Sequence, residues 1–270
     1  MPRSGGVVVQ EINHLTNTTP ALRATPPQLR RGVRDACEFI HNFVNGAHGG
    51  SLRQMISISI ELQHPDLLLG IVESRSVPAG PASPELNAEI DAALATRSQG
   101  TPLELVKNAV RELLRTGGYK PAGRGKPASE YLAQAATRGE FPRISHIVDA
   151  LNLVSFESGL PISLLDANRV MDGASELVVR LGRAGESYVF NSAGHAIDLE
   201  GLLLVAQREG PALGNPVKDS MLAKTTEGTR NTIAFVWATR RALNEASLHE
   251  VCGRLGRLLH GAETETRVLK

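Results

Sequence analysis

The sequence predicts an α+β protein: one principal domain with a mixed, largely antiparallel sheet and flanking helices. Helical apolar spacing dominates between residues 84 and 158. Short apolar runs divided by Gly, Asn and Asp dominate after Asp166. The 270 residues, 41% hydrophobic and 21% charged, supply enough apolar material for a sizeable core.

In chain order, "NTTPALRATPPQLRRG" reads as a loop leading into a helix capped by Thr25, with Pro26 and Pro27 in its first turn. Leu29, Val33, Ala36, Ile40 and Phe43 continue that helix, and residues 1–50 are expected to form an N-terminal extension. "MISISIEL" alternates as a half-buried strand does, and "LLLGIVES" is continuous enough for a central one. Helices are expected over Pro84–Arg97, Pro102–Arg115, Pro127–Arg138 and Ile144–Ser158. "ELVVRLG", "SYVF", "GLLLVAQ" and "NTIAFVWA" read as strands, Ser247–Leu259 as a last amphipathic helix, and 263–270 as a polar tail after a domain spanning 51–262.

Lys/Arg and Asp/Glu nearly cancel, leaving a formal net charge of +1, which argues against a strongly basic DNA binder. Cys37 and Cys252 each fall inside an apolar helical pattern and read as core residues in a reducing compartment. No apolar run reaches ~18 residues, and Gln10, Glu11, Asn13 and His14 interrupt the N-terminus where a signal peptide needs an apolar centre. The expectation is a soluble, cytoplasmic protein with no membrane partner. Phosphate loops, Cys-x-x-Cys pairs, His-Glu-x-x-His and Gly-x-Ser-x-Gly are all missing, so no cofactor and no metal are implied. His195, in "SAGHAID", reads as a solvated turn residue.

The chemistry-bearing stretch is "FPRISHIVDALNLVSFESGLPISLLD". Ile144, Ile147, Val148, Leu151 and Val154 form its apolar stripe, and Ser145, Asp149 and Asn152 fall together on the adjacent face. Asp and Asn are poor helix formers, so two of them one turn apart need something to bond: a neighbouring loop or a ligand. Arg143 stands at the helix's positive end, where a cation is disfavoured by up to ~1 kcal/mol, and so calls for an anionic partner, either Asp149 or a phosphate. Gly159 and Pro161 stop the helix.

These residues resemble the Arg-x-Ile-Asn-x-x-Val-Asp-x-x-Asn…Gly-x-Pro…Asp segment of the B three/four domain, the tRNA-binding and editing domain of the phenylalanyl-tRNA synthetase β chain, which also occurs in free-standing proteins. "GGYKPAGRGKPASEYLAQAATRGEFPRI" is similar to the approach to that motif, and "HPDLLLGIVESRSV" and "AKTTEGTRNTIAFVWA" resemble segments of free-standing members. Arg143, Asp149, Asn152, Gly159, Pro161 and Asp166 match the pattern. Ser145-His146 stands for its Asn-Pro, Ser163 for its histidine and Ala223 for its first late threonine.

The resemblance implies hydrolysis of a mischarged aminoacyl-tRNA, carrying a wrong or non-protein amino acid such as the arginine analogue canavanine. The alternative is a tRNA-binding or protein-interaction module that keeps the fold without the chemistry. On the first reading Asn152 and Ser163 orient the ester or the water, Asp149 or Asp166 holds the α-ammonium, and Lys224, Thr225 and Thr226 line the rim. Asp166 also reads as a cap, and Lys224 as a solvated loop lysine. An activated ester needs positioning and oxyanion donors more than a strong base. For tRNA phosphates the candidates are Arg23, Arg30, Arg31 and Arg34, with Lys120, Arg124 and Lys126.

Overall fold

The alternation around Ile58 gives only a short strand, β1 (Ile58–Ile60), in the computed structural model, which describes residues 55–97, 103–172, 174 and 176–270. The expected helix and arginines of residues 1–50 lie outside the described residues, as does Cys37. The continuous apolar run that follows becomes β2 (Leu67–Arg75), buried on both faces as such a run requires. Helices α1 (Pro84–Arg97), α2 (Glu104–Arg115), α3 (Ala128–Thr137) and α4 (His146–Ser158) follow. Gly159 ends α4 in the left-handed region at φ 73°, where a glycine pays no Cβ penalty.

After α4 the chain forms β3 (Ile162–Asp166), the single turn α5 (Ala167–Val170), β4 (Leu177–Leu181), β5 (Ser187–Val189), β6 (Ala196–Asp198), β7 (Leu203–Gln207), β8 (Ala212–Gly214), β9 (Asn231–Thr239), α6 (Glu245–Leu259) and β10 (Glu263–Leu269). One sheet runs β10-β2-β9-β3 with every pair antiparallel. A second runs β1-β4-β7-β8 and contains one parallel pair, β1 with β4. β5 and β6 form a separate hairpin, and His195 lies in its turn, with its main-chain N–H bonded to Asn191 Oδ1. The expected α+β class is therefore what the chain adopts. The stretch read as a polar tail is instead strand β10, paired with β2 along its whole length.

The core joins both four-stranded sheets to the helices through Leu68, Ile71, Leu153, Leu165, Val205, Phe235 and Trp237, all essentially without exposure. α4 packs against α1, α3 and α6. His146, where the resembled pattern has proline, is buried with Nε2 2.9 Å from the Leu258 carbonyl, tying α4 to the end of α6. Ala223, where that pattern has threonine, is fully enclosed. Cys252 is also enclosed, and burial pushes its thiol up to about 12. Among the described residues, no helix is long and apolar enough to cross a membrane.

Candidate active site

One face of α4 shapes the site. Ile144, Val148, Leu151, Asn152 and Ser155 recur at helical spacing and form one wall of a pocket of about 160 Å3. α3 adds Tyr131 and Leu132, β3 adds Ile162 and Leu164, and the β5–β6 hairpin adds Phe190. The loop after β8 supplies Lys218 and Asp219, and the segment before β9 supplies Lys224 and Thr225. The volume is below the ~300–1,000 Å3 of drug-sized ligand sites, which suits a group of amino-acid size.

Asn152 is 7% exposed, and among the described residues nothing hydrogen-bonds its side-chain amide. A nearly buried amide with both its donors and its acceptor free, on a pocket wall, is poised for a ligand.

Asp149 is spent differently. It is 2% exposed, and its Oδ1 accepts the Ile144 main-chain N–H at 2.7 Å, closing the entry to α4. Burial raises its carboxyl above the ordinary aspartate range, with the Ile144 and Ser145 amides pulling the other way. Arg143 pairs with neither Asp149 nor an anion in the pocket. It reaches α1 instead, 2.6 Å from Asp91 and 2.8 Å from Asn87 Oδ1. The cation that the helix dipole disfavours is thus compensated by a carboxylate on another helix.

Asp166 is the N-cap of α5. Its Oδ1 accepts from the amides of Asn168 and Arg169 at 3.0 and 3.3 Å, and its Oδ2 accepts from Thr229 Oγ1 at 2.6 Å. Ser163 is 1% exposed; it donates to the Asn215 carbonyl and accepts from Trp237 Nε1, both at 3.1 Å. Neither residue is on the pocket wall. Thr226 is exposed and off the wall as well, whereas Lys224 and Thr225 are on it. Lys224 donates to the Phe190 carbonyl at 3.1 Å; burial lowers its ammonium and the nearby Asp219 raises it.

Two pocket residues carry no signal in the periodicity: Lys218 and Asp219. The Asn215 side chain builds their loop, its Oδ1 accepting from the amides of Val217 and Lys218 at 2.8 and 2.9 Å while its Nδ2 donates to the Tyr188 hydroxyl. Burial lifts that hydroxyl well above its ordinary range, so it keeps its proton and donates to the Lys218 carbonyl. Asp219 Oδ2 accepts from the Leu164 amide at 3.3 Å, but Oδ1 is shielded and has no hydrogen-bond partner. Gly214 leaves room for it: a Cβ there would stand 2.8 Å from that oxygen. Asp219 as a residue keeps some exposure; the enclosed Oδ1 governs its chemistry. Burial pushes its carboxyl up to about 7, against the opposing pull of Ser163, Leu164 and Lys224. The faint sequence cue is the turn "GNPVKDS", a charged pair one residue after Asn-Pro between two apolar runs.

The segment that carries this wall and its loops is similar to the B3/4 domain family. Residues 122–248 match the model of that family, just under half of the chain and including every pocket residue named here. The resemblance read from the sequence therefore holds over this segment. No curated protein sequence matches the chain. Among solved structures, the crystal structure of an N-terminal fragment of the phenylalanyl-tRNA synthetase β-subunit from Pyrococcus horikoshii is similar at 11% identity and a TM-score of 0.39, covering 79% of this chain. This chain matches about half of that one, 51%.

Proposed function

We propose that the domain is an aminoacyl-tRNA deacylase: it hydrolyses the ester of a mischarged tRNA and releases a wrong or non-protein amino acid. The observation that carries the reading is the free Asn152 amide on the wall of a pocket that Asp219 also lines, within the segment that matches the B3/4 family model. Water attacks the ester carbonyl, the bond to the ribose oxygen breaks, and that oxygen takes a proton. Asn152 donates to the oxyanion as it forms, the role in which one fixed donor is worth ~10²–10³ in rate. Asp219, titrating near neutrality, accepts the proton of the attacking water and returns it to the ribose oxygen. Lys224 adds positive charge beside the developing anion, and Leu132, Val148, Leu151 and Ile162 receive the amino-acid side chain.

Ser163 acts through Asn215 and Trp237 as a positioning residue, in place of the direct contact expected of it. The occupation of Asp149 by the Ile144 amide and of Asp166 as the cap of α5 favours a second reading, an RNA-binding module without turnover. A panel of tRNAs carrying cognate, non-cognate and non-protein amino acids, canavanine among them, separates the two. Ester hydrolysis above the uncatalysed rate with at least one of them is expected; binding without hydrolysis of any overturns the deacylase.

A further inference from the structure

Among the described residues, Lys107 and Lys270 are ion-paired to glutamates, whereas Lys120, Lys126, Lys218 and Lys224 carry no ion pair, and two of these four line the pocket. Arginines near the pocket follow the opposite habit: Arg111, Arg115 and Arg138 each hold a glutamate. Arg124 is exposed and without an ion pair, as is Arg169, whose guanidinium donates to the Lys224 carbonyl. The fold brings Arg124 to Lys218. The Ala128 amide donates to the Pro216 carbonyl at 2.9 Å, fastening the loop before α3 to the loop after β8, and the pocket residue Tyr131 donates to the Gly123 carbonyl at 3.0 Å. Lys218 Nζ lies over the Phe190 ring, 3.9 Å from its centre, so an aromatic face and no carboxylate holds the ammonium. Burial, and after it the Arg124 charge, lower its ammonium.

We propose that Lys218 and Arg124 together bind a phosphodiester in the terminal residues of the RNA, beside the pocket that takes the aminoacyl group. The assignment rests on the preceding reading only in taking RNA as the ligand. The bonds from Ala128 and Tyr131 fasten together the two segments that carry the cations, neither of which has an ion pair, and an oxyanion bound by both supplies the missing counter-charge. Such a contact gives affinity and register without reading sequence, and it sets the ester at a fixed distance from the anchored phosphate.

The test uses the full chain and uncharged tRNA, with dissociation constants measured across a salt series. K218M keeps an apolar side chain of similar length and removes the charge, R124A removes the second charge, K218R keeps a cation at 218, and K107A removes a paired charge elsewhere as a control. K218M and R124A are each expected to weaken binding about tenfold at low salt and to flatten the log Kd against log salt slope by about 1. The double variant should lose less than the two effects multiplied, because one phosphate is shared. K218R and K107A should keep the wild-type slope. Wild-type slopes in both K218M and R124A, with melting temperatures unchanged, overturn the site. Inorganic phosphate titrated at constant ionic strength is the second arm: saturable phosphate binding that K218M abolishes, with an unaltered tRNA slope, assigns the pair to free phosphate and overturns the RNA assignment. Deacylation by the wild-type chain is scored apart. Flattened slopes with no turnover on any acylated tRNA keep this site and reject the deacylase, whereas turnover with unaltered slopes rejects this site alone.

Discussion

Replacing Asp219 with asparagine changes the pH dependence of stability by an amount that follows from its surroundings. In the folded chain the carboxyl titrates at about 7, in the unfolded chain near ~3.9. Between those values the native state binds one proton more than the unfolded state, so stability falls as pH rises and the whole penalty is present above about pH 7. About three pH units at 1.36 kcal/mol each give ~4 kcal/mol, of which about 1.5 is lost by pH 5 and roughly 2.5–3 goes between pH 5 and pH 8. Asparagine has the same shape and no such titration, though its amide leaves one buried polar group unpaired at a cost of ~1–3 kcal/mol at every pH. Urea unfolding of both proteins at pH 5 and pH 8 is the assay. The difference between wild type and D219N should move by about 2.5–3 kcal/mol in favour of the variant at the higher pH. A difference constant to within ~0.5 kcal/mol would refute the buried, proton-holding carboxylate, and with it the role given to Asp219 in turnover.

Asn152→Ala should cut deacylation ten- to a thousand-fold, the range for one lost oxyanion donor, while unfolding free energy changes by less than ~1 kcal/mol because no protein hydrogen bond is broken. An equally active variant would remove Asn152 from the chemistry. Ser163→Ala should do the reverse: it orphans Trp237 Nε1 and the Asn215 carbonyl, costing about 2–3 kcal/mol in denaturant, with turnover per folded molecule within a few-fold of wild type. Gly159→Ala places a Cβ at φ 73° and 2.7 Å from Leu103 Cδ1. Differential scanning calorimetry should register a loss of at least ~1–2 kcal/mol, and an unchanged melting temperature would contradict the left-handed cap.

The sequence was legible where local pattern and burial agree. β2 and β9 are uninterrupted apolar runs, α1 matches its expected bounds, and α4 ends at the residue where glycine and proline stop it. β1 is much shorter than its alternating stretch because only three residues find a partner, on β4. β10 was unreadable as a strand: it pairs along only one edge, and "ETET" keeps its first half polar and exposed. At the site, Asn152 was found because an asparagine in mid-helix needs a reason. Asp149 and Asp166 drew the same notice for another one, since helix entries require carboxylates as caps just as a pocket does for binding. Lys218 and Asp219 are not legible because the enclosure that marks them arises only when the loop after β8 closes over a helix far earlier in the chain.

β2 also sets a timetable for synthesis. It leaves the ribosome early, yet its neighbours on both edges come from far downstream: β9 begins at Asn231 and β10 at Glu263. Throughout most of elongation the segment "LLLGIVE" has both edges open and an apolar surface ready to pair with any other extended chain. Closing so long a loop precedes any reward from the ladder, so this sheet should form slowly and only after β9 and β10 have been made. Until β9 and β10 have been made the nascent chain presents this segment to aggregation, and lowered expression temperature should raise the soluble yield.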